Sequence, residues 1–305
     1  MNILITGGAG FIGSHIADAY IRAGHHVIIV DNLSSGKRRN VPRGATLIVK
    51  DIRDASLKDV FRRHRIDAVN HHAAQMDVRR SVEDPAFDAQ VNVMGLLNIL
   101  NCARDHSVRK IIFASSGGTI YGETPRPAVE TNYPRPLSPY GITKLAGEYY
   151  LQTYSALHGL RYTILRYANV YGPRQDPHGE AGVVAIFCRR MLSGEPVTIF
   201  GDGKQVRDYV FVQDIARMNL IALRRGDDAI FNVGTSQTTS VNQLFTHLKS
   251  LTDYPRKAVY RPKRPGELFR SCLSYAKARK DLGWAPAHTI VEGLKATVDY
   301  FAQSH

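Results

Sequence analysis

The sequence predicts an α/β protein built on a doubly wound parallel sheet, with a smaller C-terminal α/β lobe. Three observations predict it. Short apolar runs alternate with helical segments up to about residue 166, the first strand runs straight into three glycines that open a helix, and beyond Tyr167 the alternation gives way to a stretch rich in Gly and Pro. Alternating strand and helix implies right-handed crossovers in a parallel sheet covered by helices on both faces.

The first strand spans residues 2–6, centred on Ile3-Leu4-Ile5, and runs through Gly7, Gly10 and Gly13 into an amphipathic helix ending near Ala23. Such glycines permit a tight turn and let the backbone approach a pyrophosphate, which then rests on the helix N-terminus. The second strand, 26–31, ends in Asp31, eighteen residues past Gly13, where a carboxylate can accept hydrogen bonds from adenine-ribose hydroxyls. That carboxylate repels a 2′-phosphate and favours NAD, while the nearby Lys37-Arg38-Arg39 run keeps NADP open. Further strands are expected at 46–50, 67–72, 109–114 and 161–166. His71-His72 close the fourth and read as structural or cofactor-lining groups, since no His-x-x-x-His pair suggests a metal.

Ser138-Pro139 reads as a helix start, with Ser138 as cap and Pro139 in the first helical position. Of the fifteen tyrosines only Tyr140 has a lysine four residues on, Lys144, and Ser115-Ser116 lie about two dozen residues upstream. Residues four apart share a helix face, so the ammonium and the helix N-terminus both act on the phenol. Both favour phenolate, which an unperturbed tyrosine with a pKa of about 10 does not form at neutral pH. The trio suggests a hydride-transfer site. From Gly172 to Gly182 periodicity is lost, and there the second lobe begins.

With 305 residues, 44% of them hydrophobic, the chain can bury a sizeable core. No apolar run reaches membrane-spanning length and the N-terminus reads as a core strand, so a cytoplasmic protein is expected. Cys102, Cys188 and Cys272 lack paired spacing, which argues against a disulfide framework or a zinc site. The net charge of +13 is spread in pairs such as Arg62-Arg63 and Arg189-Arg190 without an aromatic-interleaved tract. It implies a solvated surface that steers dianionic substrates, not a nucleic-acid binder.

The segments TGGAGFIGSH, DNLSSG, SSGGTIYGE, SPYGITK, LRYANVYGPRQ, IFGDGKQVRDYV and RPGE follow one another in the chain. The Gly-x-x-Gly-x-x-Gly spacing and the Tyr-x-x-x-Lys pair resemble the short-chain dehydrogenase/reductase superfamily. The whole series, from Met1 to near Phe301, is similar to the extended members acting on nucleotide sugars, most of all the UDP-glucose (UDP-galactose) 4-epimerases. The resemblance implies an NAD-binding Rossmann-type domain over 1–166 plus about 208–235, and a nucleotide-sugar domain over 167–207 plus about 236–305. It implies cofactor contacts from Gly7, Gly10, Phe11, Ile12, Gly13, Asp31, Asn32, Ser34, Ser35 and Gly36, then from Asp51-Ile52, Ala73-Ala74-Gln75, Asn92, Tyr140, Lys144 and Tyr167. For Asn92 the alternative is a buried polar residue satisfied within its own surroundings.

On the substrate side the resemblance implies Arg207 and Arg264 on the diphosphate, a task suited to guanidinium forks, with a surface ion pair as the lesser alternative for each. It implies Glu267 on the nucleoside ribose, Asn169, Val184 and Phe200 on diphosphate and base, and Ser271 where some relatives carry a bulky tyrosine that narrows the sugar pocket. Ser116, Tyr140 and Lys144 would then interconvert UDP-glucose and UDP-galactose through a 4-keto sugar that rotates before hydride returns from retained NAD. A homodimer through helices near 84–105 and 138–157 is also implied.

One segment departs from the family. Where many members have three serines and then Ala-Thr-Val-Tyr, this chain reads Ser115-Ser116-Gly117-Gly118-Thr119-Ile120-Tyr121. Counting from Phe113 selects Ser116 as the catalytic hydroxyl and leaves Ser115 and Thr119 as substitutes. Sugar-nucleotide 4,6-dehydratases carry an acid directly after that hydroxyl for further proton transfers, and Gly117-Gly118 provides none. The competing readings are a 4-epimerase of UDP-N-acetylglucosamine or UDP-glucuronate, a 4,6-dehydratase, and a silent NAD-sensing protein.

Overall fold

The structure, a computed structural model, describes residues 1–178, 182–263 and 268–303. Seven strands form one parallel sheet in the spatial order Ala229–Val233, Arg161–Tyr167, Lys110–Ser116, Ala68–His71, Asn2–Thr6, His26–Asp31, Ala45–Val49. All are parallel, and the direction of winding reverses between Asn2–Thr6 and Ala68–His71, where open α/β sheets leave a crevice at the strand carboxyl ends. Both faces are covered, which is why these strands read as continuous apolar runs. Ile3 and Ile5 pack with Ile16 and Tyr20 of the Phe11–Arg22 helix and with Ile215 and Met218 of Val212–Ala222. On the opposite face Leu4, Ile28 and Val30 meet Phe61, Leu96, Ile99 and Leu151. Each such side chain contributes about 1.5–3 kcal/mol through burial.

The doubly wound architecture expected from the sequence is therefore present, with strand ends differing by a residue or two. The larger difference is at the fifth strand, which runs to Ser116 instead of stopping near residue 114. Ser115 and Ser116 stay in the sheet because they pair in register with Arg166 and Tyr167. The seventh strand, Ala229–Val233, pairs with Arg161–Tyr167 after the chain has left the sheet and returned.

Two helical details position side chains discussed below. Ser138 Oγ accepts from Gly141 N at 3.2 Å and caps the Pro139–His158 helix, which ends at Gly159 with φ +66°. The helix from Pro85–Ala89 continues through a single π turn, Gln90–Met94, into Gly95–Asp105. No helix among the described residues is long and apolar enough to cross a membrane.

Outside the large sheet, the helices Val183–Leu192, Val241–Leu251 and Ile290–Gln303 share a second core that includes Phe187, Leu244, Leu248, Leu294 and Phe301. Buried Asp208 ties the Thr235-Ser236 turn to Leu273. Its carboxylate accepts from the backbone N–H groups of Thr235, Ser236 and Leu273 and from Thr235 Oγ1, and burial pushes its pKa up.

Candidate active site

The glycine turn is dictated by close approach. A Cβ on Gly7, whose φ is +70°, would lie 2.7 Å from Ala73 N, and one on Gly13 would lie 2.4 Å from the Gly7 carbonyl oxygen. The helix then begins at Phe11 behind Gly10 with no side-chain cap and no acidic residue in its first turn. Its leading N–H groups, from Phe11, Ile12 and Gly13, suit an anion. Asp31 is buried at the end of the next strand, where Oδ2 accepts from Ala9 N at 2.9 Å and Oδ1 from Leu33 N at 2.8 Å. A Cβ on Gly36 would lie 2.7 Å from that carboxylate. Asn32 accepts from Ser34 N and donates to Asp51, while Ser34 and Ser35 are exposed. Arg53 grips Asp51 at 2.9 Å, holding that carboxyl well below its usual range, and Ile52 is buried against Gly95.

Asn92 lies on the π turn with its carboxamide committed to protein. Oδ1 accepts from Gln75 N at 2.9 Å, and Nδ2 lies within reach of Gln75 O at 2.9 Å, Asp88 Oδ1 at 3.1 Å and Thr143 Oγ1 at 3.2 Å. This is the locally satisfied arrangement, in which Asn92 shapes the Ala73-Ala74-Gln75 segment through its backbone.

Ser116, Tyr140 and Lys144 are brought together where the fifth strand meets the Pro139–His158 helix. The Ser116 hydroxyl neighbours the Tyr140 phenol and favours its ionised form. Strand alternation turns Ser115 to the opposite side, where its Oγ donates to Glu148 at 2.6 Å, and Thr119 Oγ1 turns to the Ser116 carbonyl. Lys144 is buried, donates to Ala114 O at 3.0 Å, and lies 5.8 Å from the Tyr140 ring centroid. Burial lowers its pKa to about 8, opposed by Asp88 and Glu148. The phenol behaves otherwise than the spacing predicts. Burial, followed by the Asp88 charge, pushes Tyr140 above its ordinary value, and only Ser116 is found opposing them. Four-residue spacing shows that Lys144 is near; it does not show that the pair is desolvated.

Tyr167 ends the sixth strand and is buried against His72. Its hydroxyl accepts from Asn219 Nδ2 at 2.8 Å and lies 3.1 Å from His72 Nε2, the two rings stacked 5.8 Å apart. His71 hydrogen-bonds Thr6 Oγ1 at 2.7 Å, so it serves the sheet. A cofactor contact from Tyr167 would thus use its ring or backbone.

Asn169, Ser271 and Gly118 border one space. A Cβ added to Gly118 would lie 3.9 Å from both Asn169 Oδ1 and Ser271 Oγ. Arg207 pairs in register with Ser271, and its guanidinium donates to Val206 O at 2.9 Å and Leu268 O at 2.7 Å. Val184 is fully buried on the Val183–Leu192 helix, and Phe200 ends the strand Thr198–Phe200. Arg264 and Glu267 lie outside the described residues.

The sequence reading missed two buried networks here. In one, Asp88 joins Gln75, Asn92 and Thr143. In the other, Arg166 pairs with Glu148 and donates to Tyr121, whose hydroxyl donates to Asn232. Asp88 and Asn92 stand four apart on a helix, a spacing that could have suggested the first.

Comparison with known proteins places these features in context. Residues 3–234 match the model of the NAD dependent epimerase/dehydratase family. The chain is 43% identical to the UDP-glucose 4-epimerase of Mycolicibacterium smegmatis, over 99% of this chain and 98% of that one. The structure of a UDP-glucose 4-epimerase from Thermotoga maritima with UDP-glucose superimposes with a TM-score of 0.98 at 52% identity, covering 100% of this chain and 99% of the other. That of a UDP-glucose 4-epimerase from Thermus thermophilus in complex with NAD gives 0.95 at 46% identity, with 99% of each chain covered.

Proposed function

The chain belongs to the NAD dependent epimerase/dehydratase family, and on that premise we propose that it interconverts UDP-glucose and UDP-galactose by inverting C4. The observation that carries this reading is Gly117-Gly118 directly after Ser116. A dehydratase needs an acid there to move protons at neighbouring carbons. Here position 117 is filled by Leu273, 2.5 Å from where a Cβ would stand, and position 118 opens toward Asn169 and Ser271. Removal and return of hydrogen at C4 requires only one base, one hydroxyl and a hydride carrier.

The uncapped helix start and the turn too tight for side chains fit NAD. Phe11, Ile12 and Gly13 would hold its pyrophosphate, Asp31 the adenine ribose, and Lys144 the nicotinamide ribose. Held there, NAD would supply a reversible hydride acceptor for C4 and, in its oxidised form, a positive charge. Tyr140 takes the proton of the 4-hydroxyl and gives it back, and that added charge favours its phenolate against burial. Ser116 donates a hydrogen bond to the same oxygen. Arg207, Asn169, Val184 and Phe200 would hold the nucleoside diphosphate, together with Arg264 and Glu267. The space beside Gly118 would let the 4-keto sugar turn over, and the small side chain of Ser271 on its border favours 2-acetamido sugars as further substrates.

The proposal includes a cytoplasmic homodimer. Met94, Tyr149 and Leu157, on the two helices expected to pair, are 58%, 58% and 70% exposed. Light scattering that returns a monomer would remove this part. For the reaction itself, deuterium at C4 of UDP-galactose should appear at C4 of UDP-glucose in ordinary water without added NAD. Label at C6 with loss of water would refute the epimerase.

A further inference from the structure

Asp88 takes no part in the chemistry above, yet it is fully buried beside the turn that carries Tyr140 and Lys144. Its Oδ2 accepts from Thr143 Oγ1 at 2.7 Å, and Oδ1 accepts from Gln75 Nε2 at 2.9 Å and Asn92 Nδ2 at 3.1 Å. All three donors are uncharged. A carboxylate removed from water is costly unless a positive charge answers it. Lys144 follows Thr143 in sequence, is itself buried, and hydrogen-bonds the neutral Ala114 carbonyl.

We infer that Asp88 is a positioning residue for the Tyr140–Lys144 pair: it fixes Thr143 and the Gln75 segment in one arrangement and supplies the negative charge that keeps Lys144 an ammonium. The inference rests on the epimerase reading of the site and names a residue that the reading does not use. The groups facing the pair support it. Glu148, from the same helix, is taken by Arg166 and Ser115. His71 and His72, at the end of the fourth strand, are held neutral by burial. Ser116 brings a hydroxyl and no charge. Asp88 remains as the anion not engaged by an arginine, and it opposes the loss of the Lys144 proton while disfavouring the Tyr140 phenolate.

Asp88→Asn tests this with little change of shape. The new amide can accept from Gln75 and Asn92 and donate to Thr143, whose hydroxyl has a second acceptor in Tyr140 O at 3.1 Å. With the charge gone, the alkaline limb of kcat should move down by about one pH unit. Tyr140 should also ionise at lower pH, read as the ultraviolet difference between the variant holoenzyme and its Tyr140→Phe counterpart. Thr143→Val, which keeps the charge, should lower kcat without moving either titration. Unmoved titrations in Asp88→Asn would overturn the inference, as would the same displacement in Thr143→Val. Failure of Asp88→Asn to fold while Thr143→Val folds would also overturn it, by making the carboxylate a scaffold. A wild-type protein inactive on UDP-sugars would sink the epimerase reading instead, and the phenolate titration would still decide the role of Asp88.

Discussion

Gly13→Ala should strip the protein of NAD and leave a folded chain. The added Cβ would lie 2.4 Å from the Gly7 oxygen and 2.9 Å from Gly8 Cα, where ordinary contact begins at 3.4 Å. Both neighbours are backbone in a packed turn, so the start of the helix must retreat by about 1 Å. The N–H groups of Phe11 and Ile12 travel with it. Two charge-assisted hydrogen bonds to a pyrophosphate, at about 1.5–3 kcal/mol each, amount to roughly 3–6 kcal/mol. At about 1.4 kcal/mol per factor of ten, the NAD Kd should rise by two to four powers of ten. Calorimetric titration of NAD into stripped protein measures this, and the absorbance of the purified protein reports the NAD it retains. Gly24→Ala is the control, because nothing stands within 4 Å of that Cβ and its φ of +80° affects only local stability. An unchanged Kd in folded Gly13→Ala would refute the idea that backbone closeness at this turn makes the site.

Other expectations follow from the same geometry. Tyr140→Phe should retain the fold and bound NAD and lower turnover by roughly 10²–10⁴, as steady-state assays would reveal. Ser271→Tyr should abolish turnover of UDP-N-acetylglucosamine while sparing UDP-galactose, since Ser271 Oγ borders the space beside Gly118; an unchanged substrate range would count against that pocket wall. Arg166→Met leaves Glu148 buried and unpaired and should cost about 3–5 kcal/mol, whereas Arg166→Met with Glu148→Leu should recover most of it, measured by denaturant midpoints. His15 and His72, lowered by burial from 6.5 to about 4 and about 3, bind fewer protons folded than unfolded. Stability should therefore fall as pH drops from 6.5 toward 4 and 3, by about 1.4 kcal/mol per pH unit for each histidine, and His15→Gln should flatten the slope.

The sheet was legible because strands covered on both faces must be apolar throughout, and Ile3-Leu4-Ile5 announces that without help from its surroundings. The helix start at Ser138-Pro139 was equally plain, since cap and first turn are neighbours in sequence. Polar strand residues were harder. Ser115 and Ser116 remain in the sheet through pairing with Arg166 and Tyr167, fifty-one residues on, which no local pattern records. Choosing between their hydroxyls required knowing that Glu148 waits on one side and Tyr140 on the other. The chemistry of Arg207 could be read from its type, but not its attachment to Leu268 O, which depends on two-residue strands meeting across the chain. The burial of Tyr140 was illegible for a similar reason: residue spacing carries proximity and omits desolvation, which pushes the phenol up.

A π turn is an α-helix holding one residue more than it needs, and Gln90–Met94 is such an insertion. Deleting one residue there would let the helix close into ordinary α geometry with better-aligned hydrogen bonds. Because the π turn spends about one extra residue on the same rotation, the flanking helices would keep their relative angle and the residues inside the turn would change face. Asn92 would lose the backbone of Gln75. The insertion acts as an indexing step that presents Asn92 to the Gln75 segment while the helices on either side keep their packing. A shortened chain should melt at the same temperature or higher and turn over less substrate, stability gained where aim is lost.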